Sequence, residues 1–253
     1  MTFDDLARRW LKLSRPAMKP KAWLRKEGCV RAVLPYFAGT LARNVTAAQC
    51  ERWMTDRGAK MSASTFVQEL SAIKGIFEYG MEHGITLQNP ARSIKRRKVV
   101  QAPITIPTRE QFRKLVEAIR ESDGRPFSQV LAKPGADLVE LLAYSGCRLH
   151  EATSIRWSEV NFEKNVVTIT GGEIGTKNRE FRTLPMTSAL RDLLARLKDE
   201  QQPQPSDHVA LIDSAKKSLA TSCRRLAYPQ FTHHDFRHFF ATTCIEAGAT
   251  SQP

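Results

Sequence analysis

Apolar positions recur at three- and four-residue spacing over most of this chain, the signature of helices that bury one face. Thr2 with Asp5 has the form of a helix cap followed by an acid at the third position, and it opens a predicted helix through about Leu13. Pro16 and Pro20 interrupt that helix. Trp23, Val30, Val33, Leu34 and Phe37 then share one side of a second predicted helix over 21–37, which Gly39 ends. Thr46 and Gln49 form a capping box for a third, holding Trp53 and Met54. Phe66, Leu70, Ile73, Ile76 and Phe77 predict a fourth over 62–82, with Gly84 just past its end. Four helices of this size predict a small bundle over 1–94.

The pattern breaks over 89–107. Asn89-Pro90 stops the fourth helix, Lys95, Arg96, Arg97 and Lys98 form an unbroken basic run, and Pro103 and Pro107 discourage regular structure. Thr108 and Gln111 cap a helix reaching about Arg120, and an apolar helix is predicted over 136–144, then a short turn through Glu151. Periodicity switches to two between 160 and 185. The β-branched run 166–170 and the run 180–184 flank a glycine-containing turn, which predicts a hairpin, with a third short strand near 160–162. Helices return over 187–200 and 214–227 and in the segment Phe231–Ala247. The expected fold is mainly α with a small antiparallel sheet. Its expected parts are a helical domain over 1–94, a basic linker over 95–107 and an α+β domain over 108–253.

Composition narrows the partner. A chain of 253 residues with 42% hydrophobic and 26% charged residues can bury a real core. Its net charge of +13 points to a polyanion, with nucleic acid ahead of an anionic membrane surface. The charge is uneven: 1–107 holds 19 Lys and Arg against 8 Asp and Glu, whereas 108–253 holds 20 against 18. The five cysteines are scattered with no C-x-x-C spacing, which argues for reduced thiols and against a disulfide framework or zinc knuckle. The first residues lack the basic-then-apolar form of a signal peptide, and no stretch approaches the length of a membrane span. A cytoplasmic protein, nucleoid-associated when bound to DNA and without a membrane partner, is expected.

Four places carry candidate chemistry. His234 and Arg237, three apart at the start of the last predicted helix, fall on one face, where an imidazole beside a guanidinium suits a phosphate. Arg148 follows a glycine at the end of an apolar helix, with Glu151 placed to orient it. Lys177 sits in the predicted hairpin turn, from which a flexible ammonium could reach a leaving oxygen. The run Lys95–Lys98 could track a phosphate backbone. Taken singly, each is an ordinary surface feature: an exposed helix face, a surface ion pair, a turn lysine, a solvated basic run.

In order, they are not ordinary. Tyr144-Ser145-Gly146-Cys147-Arg148-Leu149-His150-Glu151-Ala152, then a strand, a turn with Lys177 and a strand, then Thr232-His233-His234-Asp235-Phe236-Arg237-His238, closely resembles the tyrosine recombinase, or phage integrase, family. The resemblance covers nearly the whole chain and implies a core-binding domain followed by a catalytic domain. It implies site-specific DNA recombination or integration: duplex DNA is cleaved and rejoined through a 3′-phosphotyrosyl intermediate, without metal or other cofactor. By the same resemblance Arg148 and Arg237 clamp the scissile phosphate, Lys177 protonates the leaving 5′ oxygen, His234 assists in proton transfer or phosphate binding, and Glu151 holds Arg148. Intact members form homotetramers on DNA.

One feature departs from the family. The nucleophilic tyrosine should follow the His-x-x-Arg helix, yet Tyr36, Tyr79, Tyr144 and Tyr228 all precede it. The expectation is therefore a truncated, cleavage-deficient recombinase with no nucleophile in this chain. The alternative is a non-catalytic DNA-binding protein that occupies recombination sites. A type IB topoisomerase-like nicking enzyme shares the phosphate chemistry, but the small helical front domain and short hairpin look more like an integrase. A zinc hydrolase built on His233, His234 and His238 lacks H-E-x-x-H and an acidic third ligand.

Overall fold

Side-chain caps start most of the helices. A computed structural model of the chain describes residues 1–100, 103–122, 129–171 and 181–248. The chain divides into two compact units, Met1–Ala102 and Pro103–Pro253.

In the first unit, Thr2 and Asp5 exchange bonds as a capping box at the start of α1 (Phe3–Ser14). Pro20 occupies the first turn of α2 (Pro20–Val33), where its missing N–H costs nothing. This helix stops earlier than its apolar pattern, because Pro35 cannot donate. The chain tightens into a 3-10 turn over Leu34–Tyr36 that still delivers Phe37 to the interior. The Thr46–Gln49 box starts α3 (Ala47–Asp56), and Ser62 caps α4 (Ala63–Glu82). The Phe3 ring packs tilted at 4.6 Å from Phe37 and 5.3 Å from Phe77, while Trp53 stacks on Phe66 at 5.2 Å. The buried carboxylate of Glu69 accepts from Trp53 Nε1 and takes two bonds, 2.8 and 2.6 Å, from Arg57. A buried charge is tolerated here because every oxygen has a donor.

In the second unit, the Thr108–Gln111 box starts α5 (Arg109–Arg120). Next comes α6 (Ala132–Ser145), the central helix, which packs against α5 and three later helices. It begins four residues before its apolar stretch, since Pro134 fits a first helical turn. A short helix, α7 (Leu149–Ser154), follows. Strands β1 (Val160–Asn161), β2 (Val166–Ile169) and β3 (Arg182–Pro185) form an antiparallel sheet in that order, with Val167 opposite Leu184 and Ile169 opposite Arg182. The remaining helices are α8 (Ser188–Gln201), α9 (Lys216–Arg225) and α10 (His233–Glu246). Leu115, Ile119, Val139, Leu142, Cys147, Ile169, Phe231 and Phe236 share one buried cluster. A fully buried Leu, Ile or Phe contributes roughly 1.5–3 kcal/mol to such a core. No helix among the described residues is long and apolar enough to cross a membrane.

Candidate anion site at the Gly146–Glu151 corner

The site is built on a corner that only glycine can make. Gly146 ends α6 in the left-handed region at φ +61°, and its N–H bonds back to Leu142 O at 3.0 Å. A Cβ there would also collide with the ring of Phe240 on α10. The tight turn leaves the Gly146 carbonyl open to Arg237, whose Nη1 donates to it at 2.5 Å. Cys147, one residue on, is fully buried, and its N–H is held by Ser145 Oγ.

Arg148 then enters α7 as its N-cap. Its own N–H and its Nη1 both donate to Glu151, each at 2.9 Å and to different oxygens. Glu151 is only 3% exposed. Burial by itself would raise its carboxyl, but the Arg148 backbone and guanidinium, joined by Arg182, hold it below the ordinary value. Arg182 Nη2 donates to Glu151 Oε2 at 2.7 Å and lies 3.9 Å from Cys147 Sγ. The two carboxylate oxygens are thus shared between two guanidiniums that remain about 40% exposed.

Arg237 completes the group. The reciprocal Thr232–Asp235 box fixes the first turn of α10 and so aims this face. Burial, then repulsion from Arg148 and Arg182, pushes the Arg237 guanidinium below its ordinary value, though an arginine stays charged. Three guanidiniums therefore converge on the corner with one carboxylate among them, an arrangement that favours an anion with several oxygens. His234 is exposed on the first turn of α10, with its ring edge-on to His238 at 4.6 Å. His233 turns away, its Nε2 accepting from the Ala215 N–H at 3.0 Å. Among the described residues no three His, Cys, Asp or Glu side chains converge as a metal site.

An apolar groove of about 750 Å³ also lies in this unit, lined by Phe112, Val116, Tyr144, Phe239, Phe240 and Cys244 among others. None of Arg148, Glu151, Arg182 or Arg237 lines it. Its three arginines, Arg109, Arg113 and Arg120, are matched by Glu117, Glu121 and Glu140, whereas the corner has three guanidiniums on one carboxylate, so the corner is the candidate site.

A model of the phage integrase family matches residues 105–252. The chain belongs to the phage integrase family. A tyrosine recombinase of Agathobacter rectalis is 27% identical over 212 residues, covering 78% of this chain and 68% of the relative. The integrase of Shigella phage Sf6 is 25% identical over 229 residues, covering 85% and 55%. This chain thus spans between about half and two thirds of the length of these curated relatives. Among solved structures, the Tn1549 transposon integrase in complex with transposon right-end DNA has a TM-score of 0.76 at 16% identity, over 99% of this chain and 88% of that one. A lambda integrase dimer bound to a COC′ core site has a TM-score of 0.78 at 15% identity, over 98% and 91%. At these identities the likeness is one of fold.

In this integrase-family chain, Arg148, Glu151 and Arg237 meet at the corner, and His234 stands on the same helix as Arg237. Lys177 lies outside the described residues. Within Lys95–Lys98, Lys95, Arg96 and Lys98 are exposed, whereas Arg97 folds back onto the first unit. Its guanidinium sits 4.0 Å over the Phe66 ring and donates to Gly58 O at 2.7 Å. Arg182 is the member that sequence reasoning passed over. The signal was available: in a strand of period two, Arg182 shares a face with Leu184, and a charge in the apolar register asks for a buried partner.

Proposed function

We propose that this chain acts on duplex DNA as a site-specific recombinase of the tyrosine type, with the Gly146–Glu151 corner as its grip on a phosphodiester. The observation that carries this reading is the convergence of Arg148 and Arg237 on one corner in a chain of the phage integrase family. The relatives' names, recombinase and integrase, and the DNA-bound state of the lambda and Tn1549 proteins support it.

The chemistry follows from charge. When a hydroxyl attacks the phosphorus of a diester, a new O–P bond forms as the bond to the 5′ oxygen breaks. Negative charge builds on the non-bridging oxygens in between. Arg148 and Arg237 offset that charge with fixed donors that need no reorganisation. Glu151, buried and ionised, keeps Arg148 in place. His234, exposed on the helix that carries Arg237, donates to or shuttles a proton at a phosphate oxygen. Lys177 delivers the proton that the departing 5′ oxygen needs, an assignment argued from sequence order alone. Lys95, Arg96 and Lys98 add sequence-independent phosphate contacts. The two units serve as core-binding and catalytic domains.

The grip by itself can hold a phosphodiester without breaking it, which supports a second reading, occupation of recombination sites without cleavage. One experiment separates them. Duplexes retained by the chain are selected from a random pool, and a nicked version of the winner is incubated with it and run on a denaturing gel. Retention that falls with salt and drops about tenfold in Arg148→Ala and Arg237→Ala is expected under both readings, and a covalent adduct is the result the recombinase reading expects. An adduct would assign a nucleophile among the existing tyrosines and overturn the occupation reading. Absence of retention at low salt would overturn the function itself.

A further inference from the structure

We infer that Arg182 is a third anion-binding guanidinium of this site, held in place by Glu151, and that it tunes the corner to a doubly charged phosphate. The inference rests on the reading of the corner as a phosphodiester grip, and it concerns a residue that reading does not use.

The geometry is specific. Arg182 stands on β3, Arg148 at the start of α7 and Arg237 on α10, yet all three are tied to the one segment Gly146–Glu151. Arg182 uses Nη2 for Glu151 and for Cys147 Sγ. Its side chain remains 39% exposed, and among the described residues only Nη2 has a hydrogen-bond partner. Burial pushes the Cys147 thiol up, so this neighbour stays neutral and cancels no charge. Three guanidiniums against one carboxylate leave a net charge of +2 among these four side chains.

That charge matters for the reaction. A ground-state phosphodiester carries one negative charge, whereas the pentacoordinate state formed once the attacking tyrosine hydroxyl has given up its proton carries two. A site of net charge +1 matches the first, and a site of +2 matches the second. An interaction that grows as charge develops lowers the barrier, and uniform binding of both states does not. Arg182 supplies the difference.

The test uses the full chain and two probes at fixed ionic strength near pH 8. Inorganic phosphate is there mostly a dianion, and dimethyl phosphate is a monoanion. Calorimetric titration of the wild type is expected to show inorganic phosphate bound at least about tenfold more tightly, the scale of one charge-assisted hydrogen bond. Arg182→Gln can still donate to Glu151, so the corner keeps its support. It is expected to lose about tenfold in affinity for inorganic phosphate and less than about threefold for dimethyl phosphate. Arg182→Lys, which restores the charge, is expected to recover most of the preference, a rescue that mere structural support would not show. If the Gln variant binds both probes with the wild-type ratio, Arg182 only braces Glu151 and the inference falls, while the phosphate-grip reading stands. If the wild type binds neither probe and Arg148→Gln leaves DNA retention unchanged, that reading falls and takes this inference with it.

Discussion

Replacing the buried Gly146 with alanine should destabilise the second unit. Two separate costs arise at this position. An L-residue at φ +61° pays a left-handed penalty of about 1 kcal/mol. The new Cβ also meets three atoms of the Phe240 ring, and relieving such overpacking costs about 1–3 kcal/mol. A total near 3 kcal/mol would lower the melting temperature of a unit this size by roughly 6–12 °C. Calorimetry of the full chain reads the transition, and hydrogen exchange across 142–148 localises it to the Gly146 N–H bond with Leu142 O. The two costs separate in a double-mutant cycle. Phe240→Ala removes the ring, so the pair Gly146→Ala with Phe240→Ala should be less destabilised than the sum of the singles by about 1–3 kcal/mol, leaving only the backbone penalty. A Gly146→Ala chain within about 0.5 kcal/mol of wild type, or a strictly additive cycle, would refute this account of the corner.

Further outcomes follow from the same contacts. The Glu151 carboxyl is held below its ordinary 4.5, so its contribution is present above that pH and lost as pH falls through the lower folded value; Glu151→Gln should flatten the acid limb of urea midpoints below about pH 4.5, and parallel limbs would contradict this. Burial, then Lys216, depresses His233 below 6.5, so it stabilises the fold while neutral and ceases to as pH drops below 6.5 toward its folded value. The protection factor of the Ala215 amide should therefore fall between pH 7 and 5 in the wild type, and His233→Gln should remove that pH dependence. Arg97→Ala should cost the first unit about 1–2 kcal/mol through its lost cation–π contact and carbonyl bond. Ala at Lys95, Arg96 and Lys98 should leave stability within about 0.5 kcal/mol yet lessen the salt dependence of DNA retention; an unchanged slope would remove this run from the interface.

What the sequence discloses here is mostly what is local. The Thr–Gln boxes at Thr46 and Thr108 mark helix starts correctly because a cap is a contact between residues three apart. The three-stranded sheet is legible from the switch to period two, and the ordered Arg, Glu, His and Arg motifs point to the corner. Boundaries at prolines are less legible, since Pro134 sits in the first turn of α6 whereas Pro35 lies just past the end of α2; the difference lies in which N–H each would have had to supply. Arg97 and Arg182 have partners that local sequence does not name. The register of β3 marks Arg182 as a charge that needs a buried partner, and Arg97 looks like one more member of a solvated run. The partners lie 31 and 39 residues away, Glu151 for Arg182 and Gly58 for Arg97.

That distance has a kinetic meaning. The Gly146–Glu151 corner is joined to Arg182 across 31 residues and to Arg237 across 91. Closing loops of that length costs entropy before any contact is gained, so such contacts form late unless something draws them together. Like charges do the opposite. As this unit folds, three guanidiniums must approach one another, and among the described residues it is Glu151 that softens the repulsion. The corner is therefore the place where a nascent chain should hesitate, and where a polyanion would act as a folding aid before it is ever a substrate. Refolding in sulfate should outpace refolding in chloride at equal ionic strength, and the advantage should vanish when the arginines that collide there are made neutral.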